Sequence, residues 1–196
     1  MSPRHPGPGH PGVERPGVDH PGLDHPGLDH AAHLVRRFVT SLPPGGPPLV
    51  DEAWAGSLLD TGEWGVWRAM SGPDRRHSVS VARRAAGTGA EPDALVAALL
   101  HDVGKLRAGL GTFGRVAATL LALAGGRARL RPWAERGGWR GRFGRYLEHD
   151  RLGAEILSEV GARELAVRWA AEHHRPPGSG AVPEELARLL QAADGD

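Results

Sequence analysis

The stretch "AALLHDVGKL", residues 97–106, closes a run of seven apolar residues, Ala94 to Leu100, with a histidine, an aspartate and, three positions on, a lysine. A helix that is apolar on every side belongs in a protein interior. His101 and Asp102 are carried inward with it, and a buried carboxylate without a partner costs several kcal/mol. What makes this pair tolerable decides both fold and function.

Outward from that stretch, the entries and exits of further helices are marked. "EPDALVAALLHDVGK" reads as a helix that begins near Pro92 and stops at Gly104, leaving Lys105 free to turn toward the histidine and aspartate. "SGPD" at 71–74 offers Ser71 as cap, Pro73 in the first turn and Asp74 as a capping-box acid ahead of "RRHSVSVARRAAG". "YLEHDRLGAEILSEVG" ends at Gly161, "RELAVRWAAEHHRPP" at its prolines, and "PEELARLLQAAD" almost at the last residue. From about residue 50 onward no alternating β-branched run interrupts this pattern, so the expected fold class is all-α.

The N-terminal part is different. Residues 5–30 repeat with period five, "HPGPG", "HPGVE", "RPGVD", "HPGLD", "HPGLD". Pro-Gly in each repeat opposes helix and sheet, and the repeats carry too little apolar surface to offset ordering. A disordered or polyproline-like tail over 1–30 is expected, with loose metal binding by His5, His10, His20, His25 and His30 as a secondary reading. Residues 31–50 read as a short helix, "HAAHLVRRFVTSL" from residue 30 to 42, and the breaker "PPGGPP". The expected division is therefore a tail over 1–30, a helix and linker over 31–50, and a helical domain over 51–196.

Composition narrows the chemistry. The 196 residues include no cysteine, so disulfides and thiolate sites are excluded and any metal falls to His, Asp or Glu. The apolar run "VAATLLALAGG" at 116–126 is about half of the ~20 residues a membrane span needs. The N-terminus lacks an apolar signal core, and a cytoplasmic location is expected. A formal charge of +1 does not by itself announce a nucleic-acid partner.

At 100° per residue the ionisable residues fall on identifiable faces. His149 shares a face with Leu152, Gly153, Ile156 and Val160. His173 lines up with Ala166, Trp169 and Ala170, His174 with Val167, Ala170 and Ala171, and Asp194 with Ala187 and Leu190. His77 sits beside Val81 at the edge of its helix's apolar arc. Any one histidine on an apolar face reads as a satisfied core residue. Several such helices converging with a buried His-Asp pair are unstable together unless something binds them, and a divalent cation is the simplest answer.

The order His77, "HD" at 101–102 within "LLHDVGK", His149, "HH" at 173–174 and Asp194 resembles the HD-domain superfamily of metal-dependent phosphohydrolases. The "HDVGK" form resembles its HDIG subgroup. The likeness covers about residues 65–196. It implies a helical bundle in which His77, His101, Asp102 and Asp194 ligate a first metal, with Asp196 as a competing last ligand. Asp102 would bridge to a second metal held by His149, His173 and His174, as in the binuclear branch. Lys105 matches the lysine after the HD pair, expected to contact the scissile phosphate or its attacking water. The segment "HHRPPGSGAVP" lacks the Glu, Asp and Tyr-Pro of the HD-GYP motif, which argues against hydrolysis of cyclic di-GMP.

The implied activity is hydrolysis of a phosphomonoester, phosphodiester or nucleotide by a metal-activated hydroxide, with Asp102 and Lys105 in the catalytic roles. One or two divalent ions are implied, among Fe, Mn, Mg, Zn, Co and Ni. Arg75 and Arg76, just before His77, are candidate phosphate clamps. The alternative is a catalytically silent sensor module that binds metal or nucleotide without turnover. "RARLRPWAERGGWRGRFGR", residues 127–145, interleaves arginines and aromatics as a nucleic-acid or membrane surface would. The favoured reading is an exposed helical hairpin with Trp133 and Trp139 packed on the core. "GLGTFG" at 109–114 lacks a P-loop's Lys-Ser/Thr and reads as a flexible loop near the pocket mouth.

Overall fold

The computed structural model describes residues 45–195, and within them every regular element is helical. The period-five tail, the short helix expected after it, and Asp196 lie outside the described residues. In chain order the elements are α1 (Leu49–Leu58), α2 (Thr61–Ala69), α3 (Gly72–Gly87), α4 (Pro92–Leu100), α5 (Lys105–Ala108), α6 (Thr112–Gly125) and α7 (Arg127–Leu130). A 3₁₀ turn (Arg131–Glu135) leads into α8 (Gly138–Leu147), α9 (His149–Glu159), α10 (Glu164–Glu172) and α11 (Glu184–Asp194).

The apolar run of the opening stretch becomes α4, the central rod. Every residue from Ala94 to Leu100 is buried. Helices α1, α2, α3, α10 and α11 all pack against it, which is the arrangement a helix without a polar face requires. Each fully buried leucine or valine in it contributes about 2 kcal/mol relative to exposure. Trp67 and Trp169 extend the same core from α2 and α10. Trp67 is completely buried, and its indole nitrogen donates to the Ser78 hydroxyl at 3.0 Å, so its one polar atom is satisfied.

Local signals set several boundaries. Ser71 caps α3 by accepting from the Asp74 N–H, but the Asp74 carboxylate accepts from the Ser71 hydroxyl at 2.5 Å. A complete capping box occurs instead at α2, between Asp60 and Glu63, which the sequence reading did not mark. Glu63 is wholly buried and also accepts from the Arg163 N–H at 3.0 Å, tying the start of α10 to α2.

Four expectations change. Gly104 is right-handed helical (φ −62°, ψ −19°), so it does not break the chain by conformation. It is required by contact: a Cβ there would lie 1.9 Å from the His149 carbonyl oxygen and 2.6 Å from the Gly153 nitrogen. The helix expected across residues 146–161 is two helices meeting at Glu148, so His149 opens α9. Val160, counted with its buried face, is exposed at the helix end. The second half of "GLGTFG" is helical, because Thr112 begins α6.

The arginine-rich segment also departs from expectation at both tryptophans, since Trp133 is half-buried and is not packed against the core cluster. Trp139 is 57 % exposed, so it does not pack on the core. It meets Trp133 and Phe143 edge to face, and the Arg140 guanidinium lies over both indoles. No helix of the described residues is long and apolar enough to cross a membrane.

Candidate metal centre

Three of the histidines sit just beyond the end of a helix. His101 follows the last residue of α4, His173 follows the last residue of α10, and His149 lies two positions after the end of α8. A helix leaves its last four carbonyls without intrahelical partners. Each imidazole takes one of them through Nδ1: Ala98 O at 2.8 Å for His101, Tyr146 O at 2.7 Å for His149, and Ala170 O at 2.9 Å for His173. A carbonyl can only accept, so Nδ1 carries the hydrogen in all three rings. The Nε2 atoms are thereby turned inward. These carbonyls were missed from the sequence, although the signal was present as the residue three positions before each histidine.

The inward atoms form two facing groups. His77, His101 and Asp102 each offer a ligand atom within 4.8 Å of the others, and so do His149, His173 and His174. Asp102 lies between them and divides its oxygens. Oδ2 is 3.4 Å from His101 Nε2 and 4.0 Å from His77 Nε2, while Oδ1 is 3.6 Å from His149 Nε2. Asp194, on the last turn of α11, brings Oδ1 to 2.8 Å from His77 Nε2 and 3.9 Å from His101 Nε2. Lys105 holds Oδ2 of Asp102.

Burial sorts these groups. His101, Asp102, His149, His173 and Asp194 are buried, His77 retains 24 % side-chain exposure, and His174 is exposed. His174 nonetheless turns Nε2 to within 3.1 Å of His149 Nε2. Burial lowers the His77 pKa against the opposing pull of Asp194 and Asp102. It lowers His149 far more, with Asp102 opposing. Burial and the neighbouring His101 bring His173 down to about 4. Burial would raise Asp102, but Lys105 and the surrounding imidazoles outweigh it and hold the carboxyl well below its usual range. At neutral pH Asp102 is therefore a carboxylate and His77, His149 and His173 are uncharged imidazoles, the protonation state that metal ligands require.

The residues fit a divalent cation. Among the described residues Nε2 of His101 and Nε2 of His173 are buried without a hydrogen-bond partner. Orphaned polar atoms of this kind are rare in folded proteins and call for an explanation. Imidazole nitrogens with carboxylate oxygens and no thiolate suit Zn, Fe, Co, Ni or Mn better than soft ions.

Other side chains hold the frame. Gln191 donates from Nε2 to the His173 and Arg175 carbonyls, at 3.0 and 2.7 Å, fixing the turn after α10. The Glu172 carboxylate accepts from the Ala181 and Val182 N–H groups and folds the following loop back. Arg84 donates to the Ala193 carbonyl, immediately before Asp194. Of the candidate phosphate clamps, Arg75 pairs with Glu52 at 3.3 Å over the Trp67 ring, and Arg76 donates to the Gly45 carbonyl. A groove of about 560 Å³ lies beside the centre, lined by residues including Arg131, Glu148, Arg151 and Arg175; none of the cluster residues lines it.

Fold and centre together define an all-helical protein with an interior His/Asp cluster of cation-binding chemistry. The family model described as HD domain matches residues 75–195, and the chain belongs to the HD-domain family. The match begins just before His77 and runs past Asp194. That family falls in a superfamily of metal-dependent phosphohydrolases, which also holds inactive members. Comparison with curated proteins and with solved structures gives no match.

Proposed function

We propose that this protein is a metal-dependent phosphohydrolase that cleaves a phosphomonoester, a phosphodiester or a nucleotide. The observation that carries the proposal is the division of Asp102, one oxygen facing His77 and His101 and the other facing His149, with buried Nε2 atoms on both sides lacking hydrogen-bond partners. His77, His101, Asp102 and Asp194 would hold one cation. Asp102, His149, His173 and His174 would hold a second.

Divalent cations in such a site supply a nucleophile at neutral pH, by lowering the pKa of water, and neutralise phosphoryl charge. The chain's own groups do the rest. The Nδ1–H bonds to Ala98, Tyr146 and Ala170 fix the three rings, so little reorganisation is left for the reaction. Lys105, with 12 % of its side chain exposed, can place an ammonium on a phosphate at the mouth of the centre. Arg75 is held by Glu52 and Trp67, and Arg76 by the Gly45 carbonyl, so in this reading Lys105 is the phosphate contact. The substrate is read as a small phosphorylated molecule, with a nucleotide as the first class to test.

The test is metal analysis of protein purified without a histidine tag, joined to a hydrolysis screen of aryl phosphoesters and nucleotides. Close to two equivalents of divalent metal and turnover of at least one substrate are expected, both lost in Asp102→Ala. Absence of metal, with an unchanged Asp102→Ala variant, refutes the proposal. Retained metal with no product across the panel converts it to the sensor reading.

A further inference from the structure

Lys105 is the only lysine among 24 basic residues, and it holds Asp102 Oδ2. That oxygen is also the one turned toward His77 and His101, whereas Oδ1 is turned toward His149. An ammonium and a cation on the His77/His101 side therefore require the same lone pairs. They also repel one another, in surroundings where Asp102 is 2 % exposed and water screens little.

We propose that Lys105 is a built-in competitor for the first cation, neutralising Asp102 in the metal-free protein and displaced from Oδ2 on loading, which releases its ammonium to the substrate's phosphate. The proposal rests on the metal-centre reading above and adds a coupling to it: loading and phosphate capture pass through one side chain. The His149, His173 and His174 group faces the other oxygen, so Lys105 does not compete with it for a ligand atom. The residue type is suited to the task. A compact ammonium on a flexible stem leaves Oδ2 by rotation about its own bonds, while arginine's planar fork would grip both carboxylate oxygens and obstruct both groups.

The experiment is calorimetric titration of Mn(II) into metal-free full-length protein, wild type against Lys105→Met and Lys105→Arg, followed by titration of inorganic phosphate into each loaded protein. Lys105→Met is expected to bind the first Mn(II) at least tenfold more tightly and, once loaded, phosphate at least tenfold more weakly. Lys105→Arg is expected to bind the first Mn(II) no more tightly than wild type. Circular dichroism establishes that the variants are folded, and Lys105→Gln replaces Lys105→Met in the same titration if the latter is not. Mn(II) affinity that is unchanged or weaker in the neutral variant overturns the competition and leaves the hydrolase reading standing. No Mn(II) binding by any of the proteins overturns both.

Discussion

Substitution of Gly104 by alanine adds one methyl group at the point where the HD turn crosses α9. The new Cβ would lie 1.9 Å from the His149 carbonyl oxygen, 2.7 Å from its carbonyl carbon and 2.6 Å from the Gly153 nitrogen. All three are backbone atoms, so no side chain can rotate aside. To reach ordinary contact at 3.4 Å, the start of α9 has to retreat by about 1.5 Å. Overpacking of this kind costs about 1–3 kcal/mol, and the absence of any flexible neighbour places Gly104→Ala toward the upper end, about 3 kcal/mol. For a chain of this length that lowers Tm by about 6–12 °C. The same retreat draws His149 away from Asp102 Oδ1, now 3.6 Å distant, so one equivalent of metal should be lost. Urea unfolding reads the first effect as a lower midpoint at constant slope, and metal analysis reads the second. Gly65→Ala is the control: it lies within α2 with nothing inside 4 Å of its Cβ, and should stabilise by about 0.5–1 kcal/mol. A Gly104→Ala protein within about 0.5 kcal/mol of wild type that keeps two equivalents of metal would refute the close-approach reasoning.

The pH dependence of the metal-free protein has a defined sign. His173 titrates at 6.5 when unfolded and at about 4 in the fold, so the unfolded chain binds the extra proton and stability falls as pH drops below about 6.5. At about 1.4 kcal/mol per pH unit this one residue accounts for about 3 kcal/mol, lost by pH 4; His149 and His77 act in the same direction. Asp102, held below its usual range, loses its contribution only at pH values below about 4. Denaturant melts of chelator-treated protein at pH 7.5, 5.5 and 4.5 check this, and a flat profile contradicts it. Glu63→Ala should cost about 2–4 kcal/mol, because the Asp60 and Arg163 amides lose a buried acceptor, with metal content unchanged in whatever protein stays folded. Arg84→Met removes the donor to the Ala193 carbonyl and should weaken the first Mn(II) by about tenfold through Asp194, read by the same calorimetry.

The seven-residue apolar run determined that α4 would be central, because a helix without a polar face has no other stable place. The helical class and the inward faces of His149, His173 and Asp194 were legible for the same reason: periodicity records which side of a helix meets the core. His174 shows the limit of that rule, since it lies past the end of α10, where the helical angle no longer applies, and is exposed while its Nε2 still reaches His149. Trp139 shows another, because an aromatic among arginines has the same composition whether it is packed inward or stacked on its neighbours at the surface.

Order along the chain defines an inventory of groups: no thiolates, one lysine, and imidazoles and carboxylates on apolar helix faces. Their roles follow from how the helices end and cross. The helix ends determine that three Nδ1 atoms are occupied by backbone carbonyls, the crossing at Gly104 determines how near α9 comes to the HD turn, and the two together place one oxygen of Asp102 toward each histidine group. Those are distances between segments far apart in the chain, and spacing along a sequence does not contain them.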